Sequence, residues 1–159
     1  MTLETTPAST GVEGNFRVKW VDAIAGAAIT AAEFEGGDDL TYSLTPDGWQ
    51  PAQDQATAVD DRLTLAQALE RPGKKTKSLT LKYIHGSTAD TTLVEGTAGY
   101  IVARPITPNA TAGTAAQKVV VWPALCGEQV QDAPVSNGVF TKTSKIFVTG
   151  AVAYHTVAA

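Results

Sequence analysis

The sequence predicts a mainly β subunit, a β-sandwich or barrel with a long β-hairpin and one or two short helices. Two observations predict it. In Asp61–Ile84, Leu63, Leu65, Gln67 and Leu69 alternate with Arg62, Thr64, Ala66 and Ala68, and past Pro72-Gly73 Leu79, Leu81 and Tyr83 alternate with Ser78, Thr80, Lys82 and Ile84. Such period-two alternation describes two antiparallel arms with one apolar and one mostly polar face. The rest of the chain breaks into short apolar runs punctuated by Gly, Pro and Asn. That gives about eight to ten strands in total, as in a sandwich or barrel.

Taken in order, residues 1–14 hold Thr, Ser, Pro and Gly with few large apolar groups and read as a flexible N-terminal arm. The segment lacks a basic stretch followed by an apolar run, so no signal peptide is expected. Residues 15–159 read as a single domain. Phe16–Val21 alternates Phe16, Val18 and Trp20 against Arg17, Lys19 and Val21, a half-buried strand. Thr30-Ala31-Ala32-Glu33 has the pattern of a capping box, and Gly36-Gly37 limits the helix it starts to one or two turns. Leu40–Leu44 reads as a short strand, and 45–61, rich in Pro, Gly, Gln and Asp, as a long loop. Arg71-Pro72-Gly73-Lys74 suits a type II turn joining the hairpin arms.

Beyond the hairpin, Thr88-Ala89-Asp90 caps a short helix running through Leu93-Val94 to Gly96, and Gly99–Arg104 is an apolar strand. Lys118–Pro123 and Leu125–Val130 read as two further strands, with Pro123 at an edge or bulge. Ser136-Asn137-Gly138-Val139 is a hairpin-turn signal, and Phe140–Val148 and Ala151–Val157 close the chain as strands around Gly150.

Little in the sequence points to chemistry. The net charge of −4 argues against a duplex-DNA binder that works by neutralising phosphates. A lone Cys126 excludes an intrachain disulfide framework, and its apolar neighbours make it a buried small hydrophobe. His85 and His155 share no ligand spacing with it. Asp38-Asp39 and Asp60-Asp61 lack the spacing of a calcium loop, and the glycines of 95–99 do not lead a strand into a helix as a phosphate loop would. No catalytic residue, metal ligand or cofactor is therefore assigned, and no segment approaches the ~20 apolar residues of a membrane span. The charges at Glu70, Arg71, Lys74, Lys75, Lys77 and Lys82, opposed by Asp60 and Asp61, read first as a solvated edge that discourages pairing. A subunit interface is the second reading.

The succession DLTYSLTPDGW, a Pro- and Gln-containing loop, DDRL and ERPGKKTKSLTLKY, followed by TLVEGTAGYIVAR and VTGAVAYHTVA, resembles the major tail protein of long-tailed bacteriophages, especially those of actinobacteria, over roughly residues 15–158. The resemblance implies a structural virion protein, not an enzyme, assembled in the host cytoplasm. Six copies would form a ring, rings would stack into the tail tube, and double-stranded DNA would pass through the lumen without specific binding. Tape-measure, tail-terminator and distal-tail proteins would be its other partners. Within that frame Arg62, Thr64, Ala66, Ser78, Thr80 and Lys82 are expected to face the lumen, with Leu63, Leu65, Leu69, Leu79, Leu81 and Tyr83 on the core. Pro46, Asp47, Trp49, Gln53 and Gln55 are expected in a loop that orders against the adjacent ring. The lysines between Pro72 and Lys82 depart from the acidic lumen such tubes tend to have. Two other readings are a capsid decoration or tail-terminator ring protein, and a carbohydrate- or receptor-binding β-sandwich using Trp49 and Trp122.

Overall fold

The computed structural model describes residues 8–64 and 66–159. Its strands are β1 (Phe16–Val21), β2 (Asp38–Asp39), β3 (Leu44–Asp60), β4 (Leu69–Ile84), β5 (Ala98–Pro105), β6 (Lys118–Gln131), β7 (Thr141–Val148) and β8 (Ala153–Thr156), with helices α1 (Ala31–Gly36) and α2 (Thr88–Thr92). All strand pairs are antiparallel, in one 8-stranded sheet ordered β2-β1-β5-β6-β7-β4-β3, with β8 also on β6. The expected mainly β subunit with two short helices is what forms.

The sheet curls, and its inner face holds the larger core cluster. Val18 and Trp20 of β1, Leu79, Leu81 and Tyr83 of β4, Ile101 of β5, Trp122, Ala124 and Cys126 of β6 and Ile146 of β7 meet there, with Leu93 beside α2. A second cluster lies on the outer face under α1, built from Val21, Ile29, Phe34, Val102, Val119, Val121 and Val157. Successive residues of β1, β5 and β6 thus belong to different cores. This explains why β1, expected to be half-buried, buries Val18, Lys19, Trp20 and Val21 alike. Lys19 lies with its Nζ on the Glu35 carbonyl, 2.8 Å away, and over the Phe34 ring. Arg104, fully buried, donates to the carbonyls of Pro108 and Thr111 and to Gln117 Oε1, which ties down the 105–117 connection.

α1 starts as the sequence predicts. Thr30 Oγ1 accepts from the Glu33 N–H, and the Glu33 carboxylate accepts from the Thr30 N–H, a complete capping box. α2 is shorter than expected, with Ser87 at its N-cap and its end at Thr92. Leu40–Leu44 is not a strand. Thr41–Ser43 form a turn and only Leu44 enters β3, because Leu40 drops into the core and bonds the Val18 carbonyl while Thr41 N–H is taken by Asp39.

Two predicted strands, 118–123 and 125–130, are one continuous β6. Pro123 sits inside it, where β6 changes partner from β8 (up to Val121) to β7 (from Ala124). Its carbonyl accepts from Thr149, so its nitrogen faces the same gap, where no strand needs an N–H. The Ser136-Asn137-Gly138 signal marks a real turn, with Asn137 at φ 60° and Gly138 N–H on the Val135 carbonyl. It sits within a nine-residue connection, 132–140, between β6 and β7.

The hairpin is real but its phase is different. Its arms are β3 and β4, paired from Leu44↔Tyr83 to Asp60↔Leu69, and its apex is 61–68. The stretch 45–61 expected to be a loop is almost wholly β3. Pro72-Gly73, expected to be the turn, lies within β4 at a register shift, where Gln55 pairs Lys75 and Thr57 pairs Pro72. Two residues of β4, Gly73 and Lys74, there oppose the single Ala56, a bulge that accommodates proline. A Cβ on Gly73 would stand 2.7 Å from the Ala56 carbonyl oxygen, so the close approach requires glycine. Leu79, Leu81 and Tyr83 are buried as expected, but Leu63 is fully exposed and Leu69 is 48% exposed. Leu65 and residues 1–7 of the expected arm lie outside the described residues, while 8–14 are exposed.

Candidate assembly surfaces

The half of the hairpin beyond Gln53 and Lys77 leaves the body. Every residue of β3 from Pro51 to Val59 is exposed, and β7 accompanies β4 only over 79–84. The projecting part, 53–60 with 69–77, has solvent on both faces beyond its root, where Gln53 and Lys77 still border the body. Eight residues at ~3.3 Å each carry it about 25 Å outward. Its Asp60 carboxylate is held by Arg62 and Arg71, both at 3.1 Å, which pins the apex to both arms.

Two lateral edges flank the hairpin side of the sheet. β3 is the last strand of the order, so its outer edge has no partner among the described residues. On β6, pairing to β5 ends at Leu125, and the bonds between Cys126 and Gly96-Thr97 are the last on that side. Between these edges, β3, β4, β7 and the second half of β6 form a four-stranded stretch. One face of it covers the core. The other presents Gln50 and Ala52 on β3, Ser78, Thr80 and Lys82 on β4 and, paired across from them, Thr143 and Lys145 on β7.

Of the residues expected at a lumen, the structure gathers Ser78, Thr80 and Lys82 on this outer face. Arg62, Thr64 and Ala66 lie instead in the apex loop, because the strand that would carry them does not form. The charge of Lys82 is offset locally. Its Nζ is 3.4 Å from Asp47, whose carboxyl is held below its usual range by the Thr45 hydroxyl and by backbone N–H, with Lys82 adding to this. Asp132 at the far end accepts from the Thr141 and Thr143 hydroxyls, which lower it likewise. The face is mixed in sign, with few uncompensated cations.

Of the residues expected in an inter-ring loop, Pro46 and Asp47 are exposed at the start of β3, and Gln53 and Gln55 on the projecting strand. Trp49 is spent differently. It packs edge-on against Phe16 (centroids 5.5 Å apart) and Trp122 (6.2 Å) within its own subunit. Trp122 is only 6% exposed, so the two tryptophans offer no flat platform of the kind a carbohydrate-binding sandwich displays.

Sequence reasoning missed the mouth of the curled sheet beneath the hairpin. Phe16, Trp49, Pro51, Trp122 and Tyr154 line an open apolar cavity of about 430 Å³ there, with Lys77 on its rim. No local signal marked it, because its aromatic lining residues come from four different strands. Cys126 is buried and burial pushes its thiol up to about 11, which keeps it protonated and unreactive at neutral pH. His85 Nδ1 stands 3.4 Å from Asp90, which also binds Lys142 at 2.7 Å and closes the α2 side of the sheet. Among the described residues no three His, Cys, Asp or Glu side chains are grouped to hold a metal ion, and no helix is long and apolar enough to cross a membrane.

The family model described as phage tail tube protein matches residues 3–159. Among solved structures, a chain in the "Cryo-EM structure of the anti-feeding prophage (AFP) baseplate, 6-fold symmetrised" is similar with a TM-score of 0.57 at 12% identity, covering 98% of this chain and 98% of that one. At that identity the likeness is one of fold. No curated protein matches in sequence.

Proposed function

The chain belongs to the phage tail tube protein family, a structural protein of the virion tail, and on that premise we propose that six copies close into a ring, that rings stack into a tube, and that double-stranded DNA passes through its lumen. The observation that carries this reading is the four-stranded stretch with an open edge on either side. A β3 edge on one copy and a β6 edge on the next are different surfaces of one chain, so pairing them is head-to-tail and closes under cyclic symmetry. Closure also removes the edges that would otherwise recruit other chains. The six-fold symmetry of the assembly that contains the similar chain supports the copy number.

Six such sheets make roughly 24 strands, on the order of 115–150 Å around and about 37–48 Å across at the backbone for ordinary strand spacing and tilt. That leaves room for a duplex after side chains are subtracted. The core-facing side is already covered, so the outer face lines the lumen, with Ser78, Thr80 and Lys82 beside Gln50 and Ala52. Arg62, Thr64 and Ala66 then stand at the axial rim. Short hydroxyl and amide groups, with Lys82 tied to Asp47, give a wet wall that offers phosphate little to hold. Tape-measure, terminator and distal-tail proteins are the partners at the tube's ends.

Negative-stain microscopy of the concentrated protein tests this, with six-fold rings and hollow tubes expected. A chain that stays monomeric at every concentration and seeds no tube refutes it. Thiol labelling of tubes supplies the face: Thr80→Cys should react with a small reagent admitted to the lumen, and Leu81→Cys should not.

A further inference from the structure

We infer that the apex of the hairpin is a plug, and that it seats in the apolar mouth beneath the hairpin of a second copy of this chain, in the next ring of the tube. The inference rests on the stacked-ring reading and names the residues that join one ring to the next. Leu63 is 104% exposed at the tip, with Val59 at 60% and Leu69 at 48% on opposite faces of the arm beneath it. Aliphatic side chains held in water at the end of a projecting arm mark a contact surface. The same chain carries the complementary hollow, the cavity of about 430 Å³ lined by Phe16, Trp49, Pro51, Trp122 and Tyr154. The two cannot meet within one subunit, because paired strands about 25 Å long hold them apart.

A knob and a hole at different places on one surface make a heterologous contact, and a heterologous contact that does not close propagates. The direction of the hairpin therefore sets the direction of stacking. Charge fits a second copy as the occupant. With Asp60 occupied by Arg62 and Arg71, the apex offers Asp61 and Glu70, while Lys77 stands on the rim of the hollow, its ammonium 5.4 Å from the centre of the Tyr154 ring. Opposite charges at the rim fix register around an apolar centre. Lys77, which sat oddly with a DNA conduit, is thereby turned toward protein.

The test uses the full chain. Leu63→Asp should fold as the parent does, since the side chain is fully exposed, yet raise the concentration needed for tubes by about 10–100-fold while single rings persist; Leu63→Met should assemble normally. Separately, Leu63→Cys and Gln53→Cys proteins are mixed and treated with a short bis-maleimide, the native Cys126 being buried. A cross-linked peptide joining position 63 of one copy to 53 of another, found by mass spectrometry, supports the plug. Its absence, or tubes from Leu63→Asp at the parent concentration, overturns it. Parent protein that forms neither ring nor tube sinks the ring reading instead, and the mixed-cysteine reaction at high concentration still decides the apex contact.

Discussion

Leu63 and Leu81 look equivalent in the sequence but occupy opposite environments in the fold, and replacing each by alanine measures the difference. Leu81 is fully buried, on β4 opposite Ser144 of β7 and Trp49 of β3. Truncation removes three carbons, about 2.4 kcal/mol of transfer free energy at ~0.8 per methylene. The cavity adds to this, because β-strands bonded on both sides cannot close in, so the total loss falls at about 2.5–4.5 kcal/mol. For a chain of this size that lowers Tm by about 5–15 °C. Leu63→Ala should shift stability by no more than about 0.5 kcal/mol. Guanidinium titrations of dilute, unassembled protein, followed by tryptophan fluorescence, give both values under one set of conditions. Equal losses for the two variants would refute the reasoning, because they would place 61–69 back on the core as an arm of the hairpin.

Thr30→Ala deletes the capping hydroxyl of α1 and should cost about 0.5–2 kcal/mol in a thermal melt, with Thr30→Ser nearly neutral; a loss from the serine variant as large as from alanine would show that the cap is not what matters. Stability should fall on acidification below about pH 4.5. Backbone N–H groups of Ala25 and Thr30 lower Glu33, and at Asp90 burial works upward but Lys142, the Gly86 N–H and His85 outweigh it. Carboxyls depressed in the folded state contribute above their unfolded values, 4.5 and 3.8 here, and lose that contribution as pH falls through the folded ones. Asp90→Asn should flatten that acid limb, and an unchanged pH profile would contradict the assignment. Cys126, protonated and enclosed, should resist a thiol reagent at pH 8 until denaturant is added; labelling of the native chain at the rate of a free thiol would show the core to be open there.

What the sequence determined by itself was whatever rests on one buried face or one local bond. Leu79, Leu81 and Tyr83 had to share a face, because alternation leaves a strand no other way to bury them. Thr30 and Glu33 had to start a helix, and Asn137-Gly138 had to turn. The apex region misled because its alternation has no core beneath it: Leu63 recurs at the right spacing but is held away from the body by the arm that carries it. β3 was illegible for the opposite reason. A strand with water on both faces needs no alternation, so its Gln, Asp, Thr and Ala look like a loop, and its order comes from β4 through backbone bonds that leave no mark on side-chain choice. Pro72 and Pro123 read as breaks, yet a bulge opposite Ala56 and a gap between β7 and β8 removed the need for the N–H each lacks. The apolar mouth, drawn from β1, β3, β6 and β8, existed only once the sheet curled. Side-chain pattern reports burial, and only the tertiary structure decides which exposed surface is brought opposite which.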